Sequence, residues 1–265
     1  MKNLALSLLL PLVSFTAFAI PGPDNTGPTG DVSTFEPYTG RTTINVDGTV
    51  LENFTFEGIL RINANNVTIR NCVMSGAGTY GIQIYDGTTG TVIEDCIIEN
   101  MLSAGILGSN FTASRLEIRN SGADAIKAFH NFTIEDSWFH SLGYLDGAHA
   151  DGIQMVQGTN GVIHGNHFDM PYNVEGYRNS QCIILGTNDG PIENILIEGN
   201  WLNGGNYCVV ANDKDNGFGK PTNIIMINNK FGEDYQFGPQ SIDADRLIEY
   251  GNSYDVFPLT DFCYE

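Results

Sequence analysis

One short phrase recurs along the chain and restricts its fold more than any other feature. It reads Val67-Thr-Ile-Arg-Asn-Cys72, Val92-Ile-Glu-Asp-Cys96, Leu116-Glu-Ile-Arg-Asn-Ser121 and Phe132-Thr-Ile-Glu-Asp-Ser137. It continues as Val162-Ile-His-Gly-Asn166, Leu196-Ile-Glu-Gly-Asn200 and Met226-Ile-Asn-Asn-Lys230. The shared Ile falls at 69, 93, 118, 134, 163, 197 and 227. The mean step of about 26 residues is the spacing of a stacked repeat. A second phrase sits between most copies, as in Tyr80-Gly-Ile-Gln-Ile84, Asp124-Ala-Ile-Lys127, Asp151-Gly-Ile-Gln154 and Gln181-Cys-Ile-Ile184. Each unit therefore holds at least two short β-branched strands separated by Gly/Asn-rich turns. One unit cannot bury its apolar side alone, and stacking buries a continuous core. β-Propeller blades need about 40 residues, more than these units provide. The expected fold is an all-β, single-domain, right-handed parallel β-helix of roughly seven to eight rungs, some 35 Å long.

The turns agree with stacking. Asn71, Asp95, Asn120, Asp136, Gly165, Gly199 and Asn229 follow the phrase at one offset. These residue types tolerate left-handed backbone angles, and Asn amides can bond their copies one layer away. The sequons at Asn53, Asn66, Asn110 and Asn131 precede strands and read as turn residues. Cys72 and Cys96 hold equivalent positions, as do Cys182 and Cys208. Adjacent rungs bring such pairs within disulfide range but aim their side chains in parallel, so bridges and stacked thiols both remain open. Cys263 has no equivalent partner.

Composition narrows the partners. The chain has 12 Lys+Arg against 31 Asp+Glu, a net charge of −19, which speaks against nucleic acid. Lys2, the apolar run Leu4 to Phe18 and the small-x-small site Ala17-Phe-Ala19 read as a secretory leader. The expected organisation is a leader at 1–19, a Pro/Gly-rich lead-in at 20–40, and a β-helix with a C-terminal cap at 41–265. A secreted monomer, extracellular or periplasmic and without a membrane span, is expected.

The tandem phrases resemble the pectate-lyase-like right-handed β-helix superfamily over about residues 40–235. The Pro21-Gly-Pro23…Pro37-Tyr-Thr-Gly40 stretch looks like the lead-in of secreted bacterial β-helix proteins. The resemblance implies work on polysaccharides by lyases, polygalacturonase-type hydrolases, epimerases or binding proteins. Asp-Gly-Ile is similar to part of the polygalacturonase motif. That family's paired Asp-Asp, Gly-His-Gly and Arg-x-Lys segments are not recognisable here.

Chemistry belongs where the repeat swells. Added segments fall at Phe139–Ala150, Asp169–Ser180, Gly186–Asn194 and Asn212–Asn223. Only two middle rungs carry Asp-x-Ile-Lys and Asp-x-Ile-Gln. β-Elimination on a uronate needs a cation for the sugar carboxylate, a base for the C5 proton, and a proton for the leaving oxygen. Asp124, Asp146 and Asp151 are candidate Ca²⁺ ligands. Lys127 and His149 are candidate bases, Arg178 a bidentate carboxylate clamp, and Asp151 a further catalytic carboxyl. Gln154, His130, Tyr144 and Lys214 are candidate contacts to an acidic polysaccharide. Paired Asp124 and Asp151 also permit inverting hydrolysis, and a non-catalytic binding module is a third reading. Strict alternation places both Asp inward, with Ile126 and Ile153, unless the chain turns a corner at Ala125 and Gly152. Otherwise they cap turns. His164, His167, Trp138 and Trp201 read as structural.

Overall fold

The computed structural model describes residues 19–254. Met1–Phe18 of the expected leader, and Cys263, lie outside the described residues. The chain coils through three parallel walls of nine strands each. The first wall runs from Glu36–Pro37 to Lys230–Phe231, the second from Thr43–Ile44 to Gly238–Ile242, and the third from Val50–Glu52 to Asp245–Tyr250. Every recorded strand pair is parallel and joins one turn of the coil to the next, as at Ile126↔Ile153 and Ile153↔Ile183. The helical content among the described residues is one 3₁₀ turn, Val32–Thr34. Among the described residues, no helix is long and apolar enough to cross a membrane.

Nine rungs replace the expected seven to eight because the end copies have drifted. Val50-Leu-Glu52 pairs with Thr68–Arg70, and Leu247-Ile-Glu249 pairs with Ile224–Met226, so both extend the third wall. Each unit also holds a third strand directly after the turn, such as Ile97–Glu99. This explains a mistaken alignment. Ile118 pairs with Ile98 and belongs to the first wall, whereas the third-wall partner of Ile93 is Ala113. Met226, not Ile227, pairs with Ile197. The left-handed turn column therefore contains Arg115 (φ 52°) and Asn228 (φ 57°) in place of Asn120 and Asn229. The four sequon asparagines are likewise left-handed, at φ 61°, 56°, 60° and 51°.

The residue after each such turn points inward. Cys72, Cys96, Leu116, Ser137, Asn166, Asn200 and Asn229 are all fully buried in this column. Its later half is a hydrogen-bonded Asn ladder. The Asn166 side chain donates to Asn200 at 3.1 Å, and Asn200 to Asn229 at 3.0 Å. Cys72, Cys96, Cys182 and Cys208 are free and buried, which answers the disulfide question for these four. Apolar side chains of all three walls, among them Ile69, Ile98, Ile126, Ile153, Phe139 and Phe168, fill the tube as one core.

Candidate functional site

The second wall breaks alternation at the predicted corner. Ala125, Ile126 and Ala128 all face the core, so two successive side chains point inward. Asp124 is thereby turned to the outer face, beside Lys127. Gly152 occupies the Ala125 position one rung later, where a Cβ would sit 2.5 Å from both the Cys182 carbonyl oxygen and the Phe168 ring. Asp151 consequently makes the same turn.

Four polar side chains meet there. The Lys127 ammonium donates to Asp124 Oδ2 and, at 2.7 Å, to Gln154 Oε1. The Asp151 backbone N–H donates to Asp124 Oδ1 at 2.8 Å, and Gln154 Nε2 donates to Asp151 Oδ2 at 3.3 Å. Asp151 Oδ1 is buried with no hydrogen-bond partner among the described residues. Burial pushes the Asp151 carboxyl well above the ordinary carboxylate value, and the neighbouring Asp124 charge pushes the same way. Burial also raises Asp124, against the opposing pull of Lys127. Of the pair, Asp151 is therefore the more easily protonated, and Asp124 is the partner of the ammonium. Both carboxyls are nearly sealed, at 1% and 3% exposure.

A cleft of about 590 Å³ opens at the strand-start end of the same wall. Two of the swollen segments form its sides, and its lining includes Tyr144, His149, Tyr172, Tyr177, Arg178 and Asn206. Tyr144 and Tyr172 are 38% and 39% exposed, so their rings stand as open platforms. Tyr177 is held back by its hydroxyl, which donates to Asn120 Oδ1 at 3.0 Å. Arg178 reaches Asp146 at 3.5 Å across an exposed edge, a pairing that water or a ligand can replace.

The predicted residues therefore divide into three places. Asp124, Lys127, Asp151 and Gln154 form the wall cluster. Tyr144, Asp146, His149 and Arg178 line the cleft. His130 and Lys214 follow their strands rather than precede them, and so lie at the opposite rim, about 15 Å along the strands. There His130 Nδ1 is 3.4 Å from Thr159 Oγ1, and the Lys214 N–H is 3.4 Å from Thr187 Oγ1. His149 opens to the cleft, whereas Lys127 and Asp151 belong to the wall cluster. The three expected Ca²⁺ ligands are not gathered at one point. Asp146 belongs to the exposed cleft edge, the Lys127 ammonium holds Asp124, and no group of three potential ligands occurs among the described residues.

Sequence reasoning missed Tyr172, Tyr177 and Asn206, although the first two lie in a segment recognised as swollen. Trp138 and Trp201 are buried but outside the core cluster. They stand on the outer side of the first wall, in register with His167, whose Nδ1 donates to the Pro21 carbonyl at 2.9 Å. The lead-in lies over this row.

The protein is a parallel β-helix with a walled cleft on its second face, and a family model agrees on the fold. A family model described as the right-handed β-helix region matches residues 38–168. This bears out the resemblance to right-handed β-helix proteins. No curated protein matches. Among solved structures, the chain is similar to one described as a glycoside hydrolase, with 11% identity and a TM-score of 0.49, over 76% of this chain and 38% of that one. A second is the catalytic domain of a GH87 alpha-1,3-glucanase in complex with nigerose, with 12% identity and a TM-score of 0.44, over 78% of this chain and 55% of that one. A third is an alginate lyase from Paenibacillus sp. str. FPU-7, with 14% identity and a TM-score of 0.41, over 80% of this chain and 99% of that one. The chain spans only 38% and 55% of the first two.

Proposed function

We propose that this protein is carbohydrate-active: it binds a polysaccharide in the corner cleft and cleaves uronate linkages by β-elimination. One observation carries the reading: a single cleft gathers His149, Arg178 and two exposed phenols, Tyr144 and Tyr172. Tyrosine rings offer flat faces for sugar rings. The Arg178 guanidinium is suited to grip a uronate carboxylate through two parallel hydrogen bonds once it releases Asp146. His149 takes the C5 proton, and a tyrosine hydroxyl gives its proton to the glycosidic oxygen as the C4–O bond breaks and the C4–C5 double bond forms. The wall carboxyls are too deeply buried to touch a sugar, so paired-Asp hydrolysis is the weaker alternative. The leader-like N-terminus assigns this work outside the cytoplasm, which N-terminal sequencing of exported protein would test.

A second reading has its own support. Asp146 and Glu175 outnumber Arg178 in the cleft, which suits an uncharged glycan held without cleavage. Digestion of a glycan panel, read by mass spectrometry and by ultraviolet absorbance, decides between the readings. Elimination yields unsaturated ends that absorb, and Arg178→Ala and His149→Ala should each lower that rate by about 100-fold or more. Saturated fragments with new reducing ends would replace elimination by hydrolysis. Binding without any product selects the non-catalytic reading.

A further inference from the structure

The outer side of the first wall holds buried polar groups that neither the cleft nor the Asp pair uses. In register across successive rungs, Glu117 pairs with Trp138, and Arg119 with His140. His140 Nε2 lies 3.1 Å from Glu117 Oε1, and His140 Nδ1 lies 3.1 Å from Ser141 Oγ. Burial works to raise the Glu117 carboxyl, but the bonds and charges of His140 and Arg119 prevail and hold it below the ordinary value. An ionised carboxylate only accepts. In neutral His140 the ring proton therefore belongs on Nε2, leaving Nδ1 to accept from the serine hydroxyl. Trp138 stacks on the imidazole at 3.8 Å and 22°, which restrains the ring.

The serine is out of place by backbone criteria. Asn100 and Asn120 occupy this corner in the two preceding rungs at φ 61° and 49°, a region asparagine accepts. Ser141 takes the same corner at φ 54°. Strained non-glycine residues concentrate where function selects them. The hydroxyl gained by exchanging asparagine for serine is the one bonded to His140. Arg119 commits Nε to Glu99 at 2.8 Å and Nη1 to Glu117 at 2.5 Å, which leaves three of its five N–H groups uncommitted to these partners.

We propose that Ser141, His140 and Glu117 form an acyl-transfer centre that hydrolyses small carboxylic esters, independently of the cleft. Ser141 Oγ adds to the ester carbonyl carbon while His140 Nδ1 takes the hydroxyl proton. The oxyanion collapses, the bond between the acyl carbon and the alkoxy oxygen breaks, and His140 returns the proton to the leaving alkoxide. Water then attacks the acyl-serine with the same histidine as base. The carboxylic acid departs and Ser141 is restored. Arg119 supplies hydrogen bonds to the oxyanion. Ser141 and His140 are only 7% and 8% exposed, which restricts the proposed centre to small acyl groups.

The test uses the full chain, 4-nitrophenyl acetate and a fluorophosphonate probe. Expected are a probe adduct mapped to Ser141 and ester turnover that falls about 100-fold or more in Ser141→Asn. Asparagine suits the left-handed corner, so that variant should melt with the wild type. If it does not fold, Ser141→Gly serves, since glycine accepts the same backbone angle. Either absence of an adduct on Ser141 in the wild type, or turnover that survives in a folded Ser141→Asn or Ser141→Gly protein, overturns the proposal.

Discussion

At Asp151 two effects act in the same direction. The carboxyl is sealed from water and stands beside Asp124, so its neutral form is favoured in the folded chain. A folded value raised above the unfolded one means that the folded state holds the extra proton. The associated stability is present at low pH and is lost as pH rises toward the folded value. Asp151→Asn mimics the neutral acid and removes that titration. The wild type should therefore lose urea resistance relative to Asp151→Asn as pH rises from about 4 to 8, and the variant should be the more stable at the upper end. Urea midpoints measured across that range check the sign. The pairing of these two residues was legible from their shared Asp-x-Ile phrase. Their burial was not, because it depends on the corner at Ala125 and Gly152 and on the rungs to either side.

Among the elements, the inner Asn ladder carries the later rungs. Asn200 accepts from the Asn166 backbone N–H at 2.9 Å and from the Asn166 side chain at 3.1 Å, and it donates to the Ile163 carbonyl at 2.9 Å. Asn200→Ala would leave the Asn166 N–H without a partner in the core and break the ladder from Asn166 to Asn229. The expected loss is about 2–4 kcal/mol by urea titration. The outer ladder gives the contrast. Asn160 donates to Asn131 at 3.0 Å but lies exposed, so water can replace its bonds. Asn160→Ala should lose only about 1–2 kcal/mol, chiefly from its left-handed backbone. The recurrence of Asn was readable in the sequence. Which Asn stack with which was not, because first-wall and third-wall strands share the Ile-Arg-Asn wording. Leu116–Ser121 was aligned to the wrong wall for that reason, and only the register of Ile98 with Ile118 separates them.

On the scale of the whole molecule, charge opposes compaction. A net charge of −19 on 265 residues repels itself, and added salt screens that repulsion. Raising NaCl from about 0.02 to 0.3 M should lift the melting temperature by about 2–4 °C. Calorimetry or circular dichroism would read the shift. The same screening should improve capture of an anionic polymer by the cleft, whereas an uncharged glycan would show little salt dependence. This comparison separates the two substrate readings without relying on a mutation.

Repetition of short apolar strands at near-constant spacing dictates the coil, because such strands have few other ways to bury their surface. The sequence also marked the rungs where loops swell and where the carboxyls lie. Tertiary structure decided which marked residues meet. Residues that precede a strand and residues that follow it emerge at opposite rims, which put His149 and Arg178 in the cleft and His130 and Lys214 across the wall. Packing against neighbouring rungs sealed Asp124 and Asp151 and paired Asp124 with the Lys127 ammonium. It also drew Glu117, His140 and Ser141 into line, since two of them are remote in sequence from the third and meet only through the pitch of one full turn.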